Sequence, residues 1–190
     1  MSLPDVLSLS RVPFLFLIAF ALSVPGPPQG FAVFAFVVFV VAALTDWLDG
    51  LVARQQGTVS DYGKLMDALT DKILMVGLFV TFLATGLLPG WTLLFLLLIL
   101  AREFLITGLR MLAAVRQVVL AAEGAGKVKM VLQVVSAGLL LLGAALPNVA
   151  GILSTLGIIA FVAAALLTAY SGGLYLWKYR GLLLRAGEAA

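Results

Sequence analysis

Three long runs of this chain carry no charged side chain: Val12 to Thr45, Ile73 to Ala101 and Met130 to Trp177. Each is interrupted near its middle by turn formers, Pro25-Gly26-Pro27-Pro28, Pro89-Gly90 and Pro147-Asn148. A helix needs about 20 apolar residues to cross a bilayer, and hydrocarbon offers no partner to open backbone groups. A charge-free run with a central breaker therefore predicts a helical hairpin whose tip reaches the far side of the membrane. Three such runs predict an all-α integral membrane protein with six transmembrane helices arranged as three hairpins. The spacing places them at roughly 8–24, 30–54, 61–87, 91–119, 125–146 and 149–179. Composition points the same way: 63% of the 190 residues are hydrophobic and 11% charged, against about 25% charged in an average soluble domain. No internal repeat or compositional break divides the chain, so residues 1–190 read as a single membrane domain.

The charges orient this layout. All 12 Lys and Arg residues and all nine Asp and Glu residues fall at the N-terminus, in the second-to-third and fourth-to-fifth connections, at the C-terminus, or on adjoining helix ends. The basic bias puts that face, and both termini, in the cytoplasm, as expected of a multi-pass protein of the inner (cytoplasmic) membrane. Lys178, Arg180 and Arg185 read as a headgroup anchor. A formal charge of +3 with no separate basic arm gives no reason to expect nucleic acid as a partner; anionic lipid or phosphate suits basic residues at a bilayer better.

The chain has no His and no Cys. Imidazole bases, thiolate nucleophiles and Cys/His zinc sites are thereby excluded. Catalysis would fall to carboxylates, Lys and Arg, hydroxyls or a hard metal ion. Five of the six Asp residues lie between positions 46 and 71. Asp46 and Asp49 are spaced i, i+3, and Asp67 and Asp71 i, i+4, so each pair shares a helix face. The short connection around Gln55-Gln56-Gly57-Thr58 would bring these helices together antiparallel, with Ser60 as N-cap of the second. Four carboxylates aimed into one space at the cytoplasmic end repel and are costly within a span. One or two divalent ions with oxygen ligands would relieve both costs. The plainer alternative pairs these acids with Arg54, Lys64 and Lys72 at the interface. Gly50, Ala53 and Gly63 are small, which allows either close helix packing or room for a ligand.

The string Asp46-x2-Asp49-Gly50-x2-Ala53-Arg54-x8-Gly63-x3-Asp67-x3-Asp71 resembles the signature of the CDP-alcohol phosphotransferase family. Eight fixed positions at roughly one in twenty each coincide by chance on the order of once in 10^10 registers. The resemblance extends over nearly the whole chain, because the family is also six-helical with its motif on the second and third spans. It implies transfer of a substituted phosphate from a CDP-linked lipid to an alcohol, with release of CMP and with Mg2+ or Mn2+ in a two-metal site. On that likeness Asp46, Asp49, Asp67 and Asp71 would hold the metals, and Asp71 would also act as general base. Gly50, Ala53, Arg54 and Gly63 would bind the CDP moiety. A homodimer is implied as well.

The motif leaves the acceptor alcohol open. On the fourth helix, Arg102, Ile106 and Arg110 form an i, i+4, i+8 stripe, and Lys127 and Lys129 open the fifth. These four cations would suit a phosphate pocket; the alternative is a topology anchor with Glu103 as a partner. The Ala101-Arg102-Glu103…Leu109-Arg110 and Gly126-Lys127-Val128-Lys129 strings resemble the bacterial phosphatidylglycerophosphate synthase branch, which implies CDP-diacylglycerol as donor, glycerol 3-phosphate as acceptor and membrane lipid as surroundings. The opening Leu3-Pro4-Asp5-Val6-Leu7-Ser8-Leu9-Ser10-Arg11 is similar to that branch too, and reads as a short amphipathic segment on the membrane surface before the first span. Asp5, Ser8, Ala68 and Met130 depart from the branch pattern. Inositol phosphate, or phosphatidylglycerol in a cardiolipin synthase, would use the same chemistry. A divalent-cation transporter is a different class, but the acids all sit at one end and no repeat is present.

Ala21-Leu22-Ser23 has the form of a signal-peptidase site, yet the segment before it carries Asp5 and Arg11 rather than a positive n-region. The first helix is therefore expected to remain, and the intact mass of the purified protein should include it; a mass starting near position 24 would remove this span from the architecture.

Overall fold

A computed structural model of the protein describes residues 3–24, 29–56, 61–115, 117 and 125–180; the side chains of residues 3–8, 46–56, 61–65, 67–68 and 125–127 lie outside that description. Six α-helices follow one another: α1 (Leu3–Ser23), α2 (Gln29–Gln56), α3 (Asp61–Thr85), α4 (Leu93–Val115), α5 (Ala125–Ala145) and α6 (Ala150–Lys178). The described residues contain no strand. Among the described residues, three helical segments are long and apolar enough to cross a membrane, Gly90–Val115, Val128–Ala145 and Pro147–Lys178, with shorter apolar stretches at Leu9–Ser23 and Gln29–Thr45.

The surface explains itself in a bilayer. Phe16, Phe20, Leu94, Phe104, Ile152 and Tyr170 are all largely exposed, and contiguous apolar surface on that scale is rare in a soluble monomer. Apolar side chains facing outward on every helix are the pattern of a protein solvated by lipid.

The N-terminal segment is not separate from the first span. Leu3–Ser23 is one continuous helix, with Pro13 inside it; the missing Pro N–H removes one hydrogen bond there without ending the helix. The turns are also more structured than Pro-Gly spacing suggests. Gly86 takes φ +79 immediately after α3, the left-handed conformation in which helices commonly end, and the Leu88 N–H reaches back to the Phe82 carbonyl at 3.0 Å. A single 3₁₀ turn, Gly90–Thr92, then leads into α4. Pro147–Val149 forms a matching 3₁₀ turn before α6. Ser60, expected as an N-cap, lies outside the described residues.

α1 packs along both α2 and α3, α2 also meets α5, and α4 rests on α6, while α5 and α6 share the most extensive interface. The main core gathers Ile18, Phe39, Leu78, Phe79, Leu140 and Phe161; the rings of Phe79 and Phe161 lie 4.7 Å apart, centroid to centroid. Small residues set the α5–α6 distance. A Cβ at Gly157 would stand 2.8 Å from Leu140 Cγ and 3.3 Å from its backbone nitrogen. Beside it the Ser136 hydroxyl donates to the Gly157 carbonyl at 2.8 Å. Gly143 likewise faces Leu153 and Ser154, and Gly138 faces Phe39, whereas Gly151 meets open space. Close approach at Gly143 and Gly157 is thus used within one chain, while Gly138 makes an ordinary contact.

Because the contact at Gly157 involves backbone, Gly157→Ala should cost about 1–3 kcal/mol, the usual range for overpacking. A lowered thermal midpoint in detergent is expected; an unchanged midpoint would show that the hairpin has slack.

Candidate functional site

The carboxylate spacing is realised on helical backbone: Asp46 and Asp49 fall within α2, and Asp67 and Asp71 within α3. Gly50, Ala53 and Arg54 follow on α2, and Gly63 lies in the first turn of α3. The side chains of Asp46, Asp49, Ala53, Arg54, Asp67 and Lys127 lie outside the described residues, as do the surroundings of Gly50 and Gly63. Among the described residues no three metal-ligating side chains come together.

Asp71 is described, and it is half-buried. It lines a cavity of about 290 Å³ built from four helices, with Arg11 of α1, Phe39 and Ala42 of α2, Met75 of α3 and Val134 of α5. Arg11 is only 2% exposed. The guanidinium of α1 and the carboxylate of α3 therefore face one mostly apolar space where α1, α2, α3 and α5 meet.

On the side of α3 toward α4, a single carboxylate gathers cations from three helices. Glu103 Oε1 accepts from Arg102 Nη1 at 3.1 Å and from Lys129 Nζ of α5. Lys72 Nζ of α3 stands 4.0 Å from Glu103 Oε2. Lys72 also donates to the Thr107 hydroxyl, and that hydroxyl donates in turn to the Glu103 carbonyl at 2.6 Å. Glu103, Arg102 and Lys129 retain 15%, 14% and 10% side-chain exposure, so water screens the attraction weakly. Lys72 lies within electrostatic range of Arg110, Arg102 and Asp71 as well.

The i, i+4, i+8 stripe is real, but its two arginines have different neighbours. Arg102 lies along α6, where a Cβ at Gly172 would come within 2.5 Å of its Cγ. Arg110, eight residues and about 12 Å farther along α4, is exposed and stacks over the Tyr175 ring with Cζ 5.8 Å from the centroid. Tyr175 is 1% exposed and packs with Ile106 and Leu109. Two buried polar atoms at this α4–α6 seam, Arg102 Nε and the Tyr175 hydroxyl, have no hydrogen-bond partner among the described residues.

Of the cations expected to form a phosphate pocket, Arg102 and Lys129 converge, and Arg110 stands at the margin. Lys72 and Thr107 were not among the expected site residues. Their clues are positional: Lys72 directly follows Asp71, and Thr107 lies one turn after Glu103.

Comparison with known proteins gives a family. Residues 1–173 match the family model described as CDP-alcohol phosphatidyltransferase. The chain is 37% identical over 106 residues to the CDP-diacylglycerol–glycerol-3-phosphate 3-phosphatidyltransferase of Bacillus subtilis strain 168, covering 56% of this chain and 53% of that protein. It thus spans about half the length of that relative. It is 34% identical over 172 residues to a probable phosphatidylglycerophosphate synthase of Mycobacterium tuberculosis strain H37Rv, covering 90% of this chain and 78% of the relative. A CDP-diacylglycerol–glycerol-3-phosphate 3-phosphatidyltransferase of Rickettsia bellii is 31% identical over 174 residues, which is 92% of this chain and 93% of that protein.

Proposed function

We infer the reaction from membership: this chain belongs to the CDP-alcohol phosphatidyltransferase family. We propose that it transfers the phosphatidyl group of CDP-diacylglycerol to glycerol 3-phosphate, giving phosphatidylglycerophosphate and CMP. The donor class follows from the family and from the complete Asp46–Asp71 motif. The observation that carries the acceptor is the cation cluster one residue beyond Asp71, where Lys72, Arg102 and Lys129 meet around Glu103. The names of the relatives that align over most of the chain agree with this choice.

In this reading the acceptor hydroxyl attacks the phosphorus that carries diacylglycerol. Its bond to the bridging oxygen breaks, CMP leaves, and the hydroxyl proton passes to the Asp71 carboxylate. The donor set fits a hard divalent ion, since carboxylate oxygens suit Mg2+ or Mn2+ and the sequence has neither Cys nor His. Asp46, Asp49, Asp67 and Asp71 would hold it, and the chemistry supplied is neutralisation of the pyrophosphate charge. Arg54, with Gly50, Ala53 and Gly63, would bind the CDP moiety. Arg102, Arg110, Lys127 and Lys129 would hold the acceptor's phosphate. The apolar cavity beside Asp71 keeps bulk water from competing with the acceptor.

The same reading includes six spans arranged as three hairpins, both termini and the site at the cytoplasmic face of the inner membrane, and a homodimer. Its support is that no charged residue lies in the three runs Val12 to Thr45, Ile73 to Ala101 and Met130 to Trp177, which include the opposite turns, together with the family resemblance.

Two variants test the residue roles through CMP release. Asp71→Asn should reduce turnover by about 10^2–10^4-fold, the span of general-base effects, without lowering the thermal midpoint; wild-type turnover would remove Asp71 from the role. Arg110→Ala should raise KM for glycerol 3-phosphate by about ten-fold, the scale of one charge-assisted hydrogen bond, and shift KM for CDP-diacylglycerol much less. Equal shifts would argue against an acceptor pocket.

A further inference from the structure

We propose that Glu103 is the positioning residue of the acceptor site, gathering Lys72, Arg102 and Lys129 into one receptor for a phosphomonoester dianion and thereby adding Lys72 to the residues that bind it. The first support is the charge count. Three cations from α3, α4 and α5 surround one carboxylate, so the cluster carries two positive charges more than Glu103 offsets. A cluster this shielded is a poor way to stabilise a bundle, because apolar residues of similar volume usually do as well or better. Its uncompensated charge equals that of one phosphate dianion.

Geometry adds a second support. Neighbouring side chains on a helix do not ordinarily face one another, yet Arg102 bends to Glu103 at 3.1 Å. It is free to do so because Gly172 has no Cβ to obstruct its stem. In that pose Nη1 is engaged by Glu103, while Nε is buried against Gly172 with no partner among the described residues, an unsatisfied donor that packing of the bundle alone does not explain. Lys72 is held by Thr107 and Glu103 on one side and directly follows Asp71 in the chain. An anion bound at Lys72 lies within electrostatic range of Asp71 across adjacent faces of α3, the span that a phosphorylated alcohol would bridge between the cations and the proposed base. Glu103 fixes the cations in the absence of the anion. Without its charge, the two lysines and the arginine would repel and separate, and each would have to be re-aimed on binding.

The identity of the acceptor rests on the proposed function; recognition of the dianion does not, and the test separates them. Purified protein in detergent is titrated calorimetrically with inorganic phosphate, and KM values for glycerol 3-phosphate and CDP-diacylglycerol are measured by CMP release. In Glu103→Gln, Kd for phosphate and KM for glycerol 3-phosphate should both rise about ten-fold, the cost of re-aiming three cations that Glu103 no longer holds outweighing the site's added positive charge, with KM for CDP-diacylglycerol within about two-fold of wild type. Glu103→Asp should recover most of the loss, which a purely packing role would not produce. Equal shifts in both KM values, or unchanged phosphate binding in Glu103→Gln, would overturn the inference. If Glu103→Gln does not fold, Glu103→Asp alone should still weaken phosphate binding by about three-fold through its shorter reach, and no change would overturn it. Wild-type protein that binds phosphate but releases no CMP with glycerol 3-phosphate would refute the proposed reaction and leave the anion site standing.

Discussion

An ionised carboxylate cannot lie inside an apolar helical bundle unless cations come to it, and in this protein three helices supply them. Glu103 on α4 meets Lys72 from α3 and Lys129 from α5, with Arg102 from its own helix. Removing one partner of a shielded pair costs about 3–5 kcal/mol, so these contacts fix how α3, α4 and α5 sit against one another. The cluster also adjoins the rest of the bundle: Arg102 reaches α6 at Gly172, and Lys72 follows Asp71, which lines the cavity shared with α1, α2 and α5.

Away from that cluster the interior is governed by size. Ser136, Gly143 and Gly157 let α5 and α6 approach until a hydroxyl can donate to a backbone carbonyl across the interface. Interhelical contacts between small residues are the means of association left when lipid removes the hydrophobic drive between helices. Large side chains such as Phe79, Phe82 and Phe161 then fill the space between α3 and α6, and the outward-facing leucines and phenylalanines are left to lipid. Packing and chemistry are thus separated: the tight, apolar helical contacts lie where the sequence is free of charge.

Much of this was legible in the residues. Charge-free runs and their Pro and Gly breakers locate six helices to within a few positions, because breakers act locally through missing N–H groups and permitted φ angles. The start of α1 at Leu3 was not legible, since the amphipathic Leu3–Arg11 stretch reads equally well as a separate surface segment, while the helix expected over 8–24 already ran through Pro13. The Arg102/Arg110 stripe was correctly placed on one face of α4, as 3.6-residue periodicity requires. That periodicity could not foresee that Arg102 would turn to Glu103 while Arg110 stacks on Tyr175, because those partners come from bending along the helix and from α6. Lys72 was visible only as a counter-charge: its role depends on Thr107 and Glu103, more than thirty residues away, and no spacing rule connects them. The paired aspartates of α2 and α3 are the opposite case, where spacing alone sets each pair on one helical face.

The central claim is that a carboxylate motif and a cation cluster on adjoining helices together transfer a phosphatidyl group to a phosphorylated alcohol. It is tested most directly by CMP release from CDP-diacylglycerol in mixed micelles with Mg2+, using purified protein, a panel of acceptors and a control with none. The account requires release that depends on glycerol 3-phosphate and is not supported by inositol phosphate or phosphatidylglycerol. Release with one of those alcohols instead would contradict the acceptor assignment, and no release with any acceptor from folded, metal-supplied protein would contradict the reaction itself.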